Sequence, residues 1–327
     1  MPRGKALTLP KTWKLARSWY GDRLSPDFEG RTTEQAEEIF GRLGLGGPRA
    51  TTIARPTEGG RMSAETGSFY VAVDEGRFRA TELTASPWGP GSQHGGPPSA
   101  LLGRALEAAA SEQGGVFARL TFEILGPIPV GELSVEAKTL RPGRKVSLRE
   151  ATLTDGEGCP VMLCRAWRIS AFPTPLPDNL EPERRTLLGP REGEEKPFFE
   201  MAPAVGYHRA MEARFVEGSW RKPGAAAAWL RMQAPLLPGE EPSPLVRVLV
   251  AADSGNGVGG ALDTSTWKFV NPETTVHLRA YPGGEWVGLE SSAAVEASGV
   301  GLVRTTIHDP EKGPVGAAAQ TLLVAKR

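Results

Sequence analysis

The stretch "HGGPPSALLGRALEAAA" at residues 94–110 places two glycines and two prolines directly before a helix-forming run. Glycine allows another group to approach the backbone closely, and proline is tolerated in the first turn of a helix. Backbone N–H groups at a helix start lie at the positive end of the helix dipole. His94, Gly95 and Gly96 are therefore candidates for binding a polar group, and a plain tight loop is the alternative interpretation.

Gln320 is a second candidate, because it is the only large polar side chain between Pro314 and Ala325. A lone glutamine in an apolar strand either serves a site or faces solvent in the alternating pattern of the strand. Both interpretations stay open on this pattern alone.

Other kinds of site are disfavoured. The sequence has no Gly-x-Ser-x-Gly motif, which argues against a serine nucleophile, and no pair among the four histidines has the spacing of metal ligands. We therefore expect no metal ion and no cofactor. The 38 basic and 38 acidic residues cancel, so nucleic acid is not an expected partner. No apolar run is long enough for a bilayer and no secretory signal begins the chain, which predicts a cytoplasmic protein without a membrane partner.

The elements that would position these residues form two similar units. Residues 131–169 and 284–324 each contain Gly-Glu at the start of a strand, a second strand, an Asp turn, a Gly before Pro-Val and a last strand. Asp155 and Asp309 stand at the same offset as Pro160 and Pro314. The repeat predicts two copies of a helix-plus-antiparallel-sheet unit that pair edge to edge.

From about Gly67 to Arg327 the chain resembles the double-hotdog acyl-CoA thioesterases of the type II, thioesterase-like superfamily. The resemblance lies in segments such as "TELTASPWGPGSQHGGPPSALLGRAL", "VAADSGNG" and "GPVGAAAQTLLV", in their order and spacing. It implies an α+β double hotdog, in which each curved sheet wraps one helix. The predicted organisation is a small helical appendage and linker (1–61), a first hotdog domain (62–171), a linker (172–198) and a second hotdog domain (199–327). Residues 1–61 are either a fused appendage or the result of an upstream start assignment.

The resemblance also implies catalytic residues for the hydrolysis of an acyl thioester to a free acid and coenzyme A. The family orients a water with an Asp, a Gln and a Thr or similar residue, and these positions match Asp253 and Gln320 here. The third position holds apolar Val270, so we favour Asn271, with Thr274 close by, because an amide can both donate to and accept from water. Asp253 has a helix N-cap as its alternative role.

The repeat predicts one site in each chain. The strand offset carries Gln320 onto Ala166 and Asp253 onto or near Ser99, so the first copy is expected to supply only the donors at Gly95 and Gly96. Arg141 and Arg144, in the turn "TLRPGRKVS", would then contact the phosphates of coenzyme A, unless this turn is simply solvated. The acyl chain is expected in a tunnel between the two helices.

Two other functions remain as alternatives. One is a catalytically silent acyl-CoA or lipid-binding protein, and the other is a hotdog hydratase or dehydratase, for which His94 is the only histidine placed at the cleft. The joined halves allow a monomer, and exposed outer strands allow a homodimer.

Overall fold

Long runs in which apolar and polar residues alternate form the strands of this protein, because successive side chains point to opposite faces of a sheet. The computed structural model describes residues 67–110, 115–180, 187–200 and 202–327. The first half contains β1 (Tyr70–Asp74), β2 (Arg77–Ala80), β3 (Ala85–Ser86), β4 (Gly89–Gln93), helix α1 (Gly96–Ala108), β5 (Val116–Ile124), β6 (Glu132–Arg141), β7 (Val146–Asp155) and β8 (Pro160–Ile169).

The second half repeats this plan with additions after its main helix. It contains α2 (Tyr207–Ala210), β9 (Met211–Ser219), β10 (Lys222–Met232), α3 (Pro244–Ala252), α4 (Gly255–Gly259), β11 (Trp267–Val270), β12 (Glu273–Leu278), β13 (Trp286–Val295), β14 (Val300–Asp309) and β15 (Gly313–Lys326). Helix α4 and strand β11 have no counterpart among the described residues of the first half.

One antiparallel sheet joins the two halves. Its strand order is β1-β2-β6-β7-β8-β5-β12-β15-β14-β13-β10-β9, with β11 paired to β15. The halves meet at β5 and β12, where Thr121 lies opposite Thr275. On either side of this pair, Leu120 faces Val276 and Phe122 faces Thr274, which is the pattern of a two-fold axis.

The repeated turns confirm the internal symmetry. Pro160 pairs with Thr154 in the first half, and Pro314 pairs with His308 at the same offset in the second. Asp155 accepts hydrogen bonds from the backbone of its own turn, and Asp309 does the same in the other copy. The predicted double hotdog is therefore confirmed, while the predicted appendage lies outside the described residues.

Helices α1 and α3 pack against each other in opposite directions on the same face of the sheet. Their small residues serve close contact: a β-carbon at Gly103 would lie 2.3 Å from Leu249 Cδ1, and one at Gly96 would lie 2.2 Å from the Val250 carbonyl oxygen. The two helices are therefore in direct contact at these points. The expectation of an acyl tunnel between the helices is therefore wrong at these points. Among the described helices, none is both long and apolar enough to cross a membrane.

Part of the predicted linker is hydrogen-bonded to the second half, although it precedes the predicted start of that domain at residue 199. Trp229 Nε1 donates to the Leu188 carbonyl at 2.6 Å, and Glu194 exchanges backbone hydrogen bonds with Phe215 beside β9. Residues 188–194, which lie in the predicted linker, therefore extend the outer edge of the second half.

Candidate active site

A cluster of polar side chains surrounds Asp253, the C-cap residue of α3. Its Oδ1 atom accepts hydrogen bonds from Asn271 Nδ2 at 2.8 Å, from Gln320 Nε2 at 3.0 Å and from Thr274 Oγ1 at 3.3 Å. The structure thus brings together all four side chains predicted to be catalytic. Asp253 closes the C-terminal end of its helix, so its alternative role as an N-cap is wrong.

The sheet positions Gln320 and Thr274 by ordinary strand geometry. Gln320 lies in the middle of β15, where alternation directs it to the helix side, and it is 2 % exposed. The same argument applies to Thr274, the second residue of β12, which is 3 % exposed. The interpretation of Gln320 as a solvent-facing residue is therefore wrong.

A second contact fixes the orientation of the Gln320 amide. Its Oε1 accepts the backbone N–H of Asn256 in α4 at 3.1 Å, so its Nε2 is directed to Asp253. Gly255 makes this approach possible, because a β-carbon there would lie 3.1 Å from Gln320 Oε1. Helix α4, which belongs to the second half only, is therefore part of the site.

The other carboxylate oxygen of Asp253 faces the first half of the molecule. Oδ2 lies 3.4 Å from His94 Nδ1, and it accepts no hydrogen bond from the residues that the structure describes. A β-carbon at Gly95 would lie 2.7 Å from Oδ2, which is closer than real β-carbons approach. The site is therefore composite, and the missing side chain of Gly95 leaves room for Oδ2 itself.

His94 is held in one tautomer by the backbone. The Gly96 N–H donates to His94 Nδ1 at 3.1 Å, so the ring carries its proton on Nε2. Burial lowers the pKa of His94 below its ordinary value of 6.5, and the neighbouring Asp253 charge only partly offsets this. Nε2 has no hydrogen-bond partner within the described part of the chain, so a neutral His94 retains one N–H donor.

The helix start provides fewer donors than the sequence suggests. Pro97 and Pro98 have no N–H group, and the Gly96 N–H is already bonded to His94. The Gly95 N–H has no partner among the described residues and remains as the single backbone donor at this place. The expectation that Gly96 offers a free N–H is wrong, because His94, two residues earlier in the sequence, accepts that hydrogen bond.

Tyr207 is a site residue that the sequence analysis missed. Its ring stacks on His94 with 3.7 Å between centroids and an interplanar angle of 0°. Its hydroxyl contacts the Val250 carbonyl at 2.8 Å and Ser254 Oγ at 2.9 Å, and burial raises its pKa. Tyr207 belongs to a four-residue helix outside the repeated strands, so no periodicity in the sequence indicates its position.

Arg141 and Arg144 lie away from this cluster. Strand β5 separates the two places. Its first residue pairs with Ile169, next to the Arg141–Arg144 turn, whereas a residue near its other end pairs with Thr274. Arg141 donates to the Val146 carbonyl and lies over the Trp167 ring. The structure does not bring these arginines to Asp253, and their contact with coenzyme A phosphates stays a prediction.

The first half also carries a carboxylate at the end of its helix. Ser99, the position that the strand offset assigned to Asp253, lies in the first turn of α1 and bonds back to the Gly95 carbonyl. At the C-terminal end of α1, which corresponds to the Asp253 end of α3, the carboxylate belongs to Glu107. Its Oε2 accepts a hydrogen bond from Ser243 at 2.6 Å. The Ser99 assignment is wrong, because the strand offset does not apply to the helices.

No metal-binding set accompanies either carboxylate. Among the described residues, no three His, Cys, Asp or Glu side chains are grouped so that they could hold a metal ion. What the Asp253 cluster offers is one carboxylate oxygen without a described donor, beside a neutral imidazole and a backbone N–H.

Family models for acyl-CoA thioesterases match both halves of the chain. The model of the N-terminal domain matches residues 84–169, and that of the C-terminal domain matches residues 185–324. A comparison with curated proteins gave no match.

Solved structures with the same fold share little sequence with this chain. A proposed thioesterase II from Thermobifida fusca YX superposes with a TM-score of 0.62 at 18% identity, over 80% of this chain and 97% of the other. A hotdog protein of unknown function from Alicyclobacillus acidocaldarius gives 0.62 at 15% identity, over 81% and 98%. An acyl-CoA thioesterase II from Mycobacterium marinum gives 0.53 at 13% identity, over 81% and 98%. At these identities the likeness establishes the hotdog fold.

Proposed function

Because this chain belongs to the acyl-CoA thioesterase family, we propose that it hydrolyses an acyl-CoA thioester to a free acid and coenzyme A. One observation carries the proposal: the two oxygens of Asp253 are used unequally. Three donors bind Oδ1, whereas Oδ2 lies against Gly95 and His94 and accepts no hydrogen bond from the described residues. A carboxylate fixed in this way can orient a water molecule with its second oxygen.

In the proposed reaction, a water molecule bonded to Asp253 Oδ2 attacks the carbonyl carbon of the thioester. Its proton passes to Oδ2 as the new C–O bond forms, and negative charge develops on the former carbonyl oxygen. The C–S bond then breaks, and the proton moves from Asp253 to the departing sulfur. Asn271, Thr274 and Gln320 keep the carboxylate in place through both steps.

The donors proposed for the developing oxyanion are the Gly95 N–H and the His94 Nε2–H. Donors fixed before the reaction stabilise the transition state without reorganisation, and a buried site strengthens this effect. His94 qualifies because it is neutral and its proton is on Nε2. Gly96 acts indirectly, since its N–H selects that tautomer.

Thiol release from acetyl-CoA, octanoyl-CoA, palmitoyl-CoA and phenylacetyl-CoA tests the proposed activity, with free acid measured in parallel. The proposal expects equal amounts of thiol and acid from at least one substrate, and loss of both in Asp253→Asn. Tight binding of acyl-CoA without thiol release would instead identify a silent binding protein.

The closeness of His94 to Asp253 raises hydration of an enoyl-CoA as a second candidate. A hydratase that used His94 as its base would need a free ring nitrogen, but His94 Nδ1 is occupied by the Gly96 N–H and Nε2 already carries hydrogen. This arrangement favours hydrolysis. Loss of the conjugated absorbance of a 2-enoyl-CoA without thiol release would reverse that preference.

A further inference from the structure

The ring of Tyr207 covers one face of the His94 imidazole. The two rings are parallel, with 3.7 Å between centroids and an interplanar angle of 0°. This separation lies within the optimal range for contact between carbon atoms, about 3.5–4.0 Å. Tyr207 is 3 % exposed, and the side chain of His94 is 11 % exposed. The imidazole therefore cannot tilt towards Tyr207 unless a buried ring moves.

The stack and the Gly96 hydrogen bond restrict different motions of His94. A parallel ring fixes the plane of the imidazole, but it permits a half-turn about the Cβ–Cγ bond, which leaves that plane unchanged. The hydrogen bond from the Gly96 N–H to His94 Nδ1 selects one of these two orientations. Both contacts are needed to direct the Nε2–H group to one place.

Two hydrogen bonds hold the Tyr207 hydroxyl at the C-terminal end of α3. The Val250 carbonyl, 2.8 Å away, can only accept, so the hydroxyl donates its single hydrogen there. Ser254 Oγ, 2.9 Å away, therefore donates to the phenolic oxygen. Burial raises the pKa of Tyr207, so the hydroxyl keeps its hydrogen. The directions of both hydrogen bonds are thus fixed.

Both partners of this hydroxyl belong to the helix end that carries Asp253. Ser254 follows Asp253 directly and is 3 % exposed. A regular helix would bond the Val250 carbonyl to the N–H four residues on, but the Ser254 N–H bonds to Ala251 instead. Tyr207 therefore satisfies a carbonyl that the end of α3 leaves open, and it holds that end in place.

Gly206 lets helix α2 lie against the first half of the molecule. A β-carbon at Gly206 would lie 2.8 Å from the Ala85 carbonyl oxygen, so only glycine allows this approach. His94 is attached nearby, because its N–H donates to the Thr84 carbonyl at 2.8 Å. Tyr207, the first residue of α2, thus connects the first-half segment that carries His94 with the end of α3.

We propose that Tyr207 is a positioning residue for the reaction. Its ring sets the plane of His94, and its hydroxyl ties that plane to the end of α3, so that His94 and the Asp253 carboxylate keep one mutual arrangement. For its kinetic consequence this inference rests on the proposed thioesterase function. Tyr207 itself neither takes nor gives a proton in the reaction.

Substitution of Tyr207 tests this role through kcat. Tyr207→Leu removes the stack and both hydrogen bonds, and it should lower kcat by about tenfold with little change in KM, within the loss of about a hundredfold that a misplacement of about 1 Å can cause. Tyr207→Phe keeps the ring and removes the hydroxyl, so a smaller loss of kcat is expected. Tyr281→Phe is the matched control, because it removes a hydroxyl that accepts the Phe117 N–H and interacts with Glu107. It should keep wild-type kcat.

A second readout follows His94 directly. NMR of the ring nitrogens in protein labelled at its histidines distinguishes the two neutral tautomers, and the His94→Gln variant assigns the His94 signals among the four histidines. In the wild type we expect one tautomer, with hydrogen on Nε2. In Tyr207→Leu the two nitrogen signals should move towards each other, because the released ring no longer keeps its bond to Gly96. Tyr281→Phe should leave them in place.

Loss of kcat together with altered His94 signals supports the proposal. Wild-type kcat in folded Tyr207→Leu would overturn it, and so would a loss of kcat with unchanged His94 signals, because Tyr207 would then act through another group. An equal loss in Tyr281→Phe would also overturn it, since the loss of any buried hydroxyl would then have the same effect. If melting curves show that Tyr207→Leu does not fold, Tyr207→Phe decides on the same two readouts.

The NMR readout separates this inference from the proposed function, because it needs no substrate. If the wild-type protein hydrolyses no acyl-CoA, the function fails, and the positioning of His94 by Tyr207 is still tested. Mixed tautomers of His94 in the wild-type protein would overturn the positioning role, whereas hydrolysis through Asp253 would stand.

Discussion

The two ends of the α1–α3 helix pair are related by the internal symmetry, yet they differ in what surrounds their carboxylates. At one end Asp253 is held by an amide, a hydroxyl and a second amide, and one of its oxygens is left without a described donor. At the other end Glu107 bonds to the N-cap hydroxyl of Ser243. Beside it, Arg104 pairs with Glu240. The Asp253 end therefore has a carboxylate oxygen that could bind the ligand we propose, whereas the Glu107 carboxylate bonds to its own helix pair.

The strands explain this difference. The strand offset places Ala166 where the second half has Gln320, and Leu120 where it has Thr274. Both replacements are fully buried and apolar. The turn residues Asp155 and Asp309 are polar in both halves, since each satisfies backbone N–H groups. The two halves therefore share the turn residues that satisfy the backbone, but only the second half carries the polar strand residues of the candidate site.

The largest expected effect separates the two carboxylates. Asp253→Asn should lower kcat by about a hundredfold to a thousandfold, because the amide cannot take a proton from water. Glu107→Gln, which preserves an acceptor for Ser243, should leave kcat unchanged. Thiol-release kinetics of both variants measure the comparison directly, and equal losses would show that the two ends do not differ in function.

A smaller effect is expected from exchanging the strand residues. Gln320→Ala should lower kcat by about tenfold to a hundredfold, since Asp253 Oδ1 keeps its other two donors. Ala166→Gln should give no new activity, and it should lower the free energy of unfolding by about 1–3 kcal/mol because a buried amide is left without partners. Steady-state kinetics and urea unfolding check the pair. A gain of activity in Ala166→Gln would refute the idea of a single site.

A substitution at Gly95 tests the contact between the first half and Asp253 Oδ2. Gly95→Ala would place a β-carbon against Asp253 Oδ2, so we expect kcat to fall by about tenfold while the protein remains folded. Gly126→Ala is the control, because a β-carbon there meets nothing within 4 Å. Wild-type kcat in Gly95→Ala would mean that the attacking water does not use this space.

The smallest effect concerns pH, and the two ends should respond in opposite senses. Burial lowers the pKa of His94 from 6.5, so its contribution to stability is complete above that pH and is lost as pH falls towards the folded-state pKa. Burial raises the pKa of Glu107 from 4.5, so its contribution is complete below that pH and is lost as pH rises through the folded-state pKa. Melting temperatures of His94→Gln and Glu107→Gln against wild type from pH 4 to 8 should show these two trends. Parallel pH dependences in the two variants would contradict the described environments.

The sequence predicted the fold well because the repeat is carried by strand spacing and turn residues, which the sheet preserves in both halves. It also indicated Gln320, since a large polar residue in an apolar strand is conspicuous. It placed the first-half counterpart of Asp253 at Ser99, which is wrong. Because α4 and β11 lengthen only the second half, the offset between the two helices differs from the offset between the strands. Tyr207 could not be predicted, because its contacts with His94 and Ser254 join segments that are distant along the chain and share no pattern.

A structure of the Asp253→Asn variant with bound phenylacetyl-CoA tests the central claim most directly. We predict that the thioester carbonyl carbon lies at the Asp253 end of the helix pair, with its oxygen within hydrogen-bond distance of the Gly95 N–H, about 2.7–3.1 Å. A thioester bound at the Glu107 end, or one whose carbonyl is remote from both residue 253 and Gly95, would contradict the account.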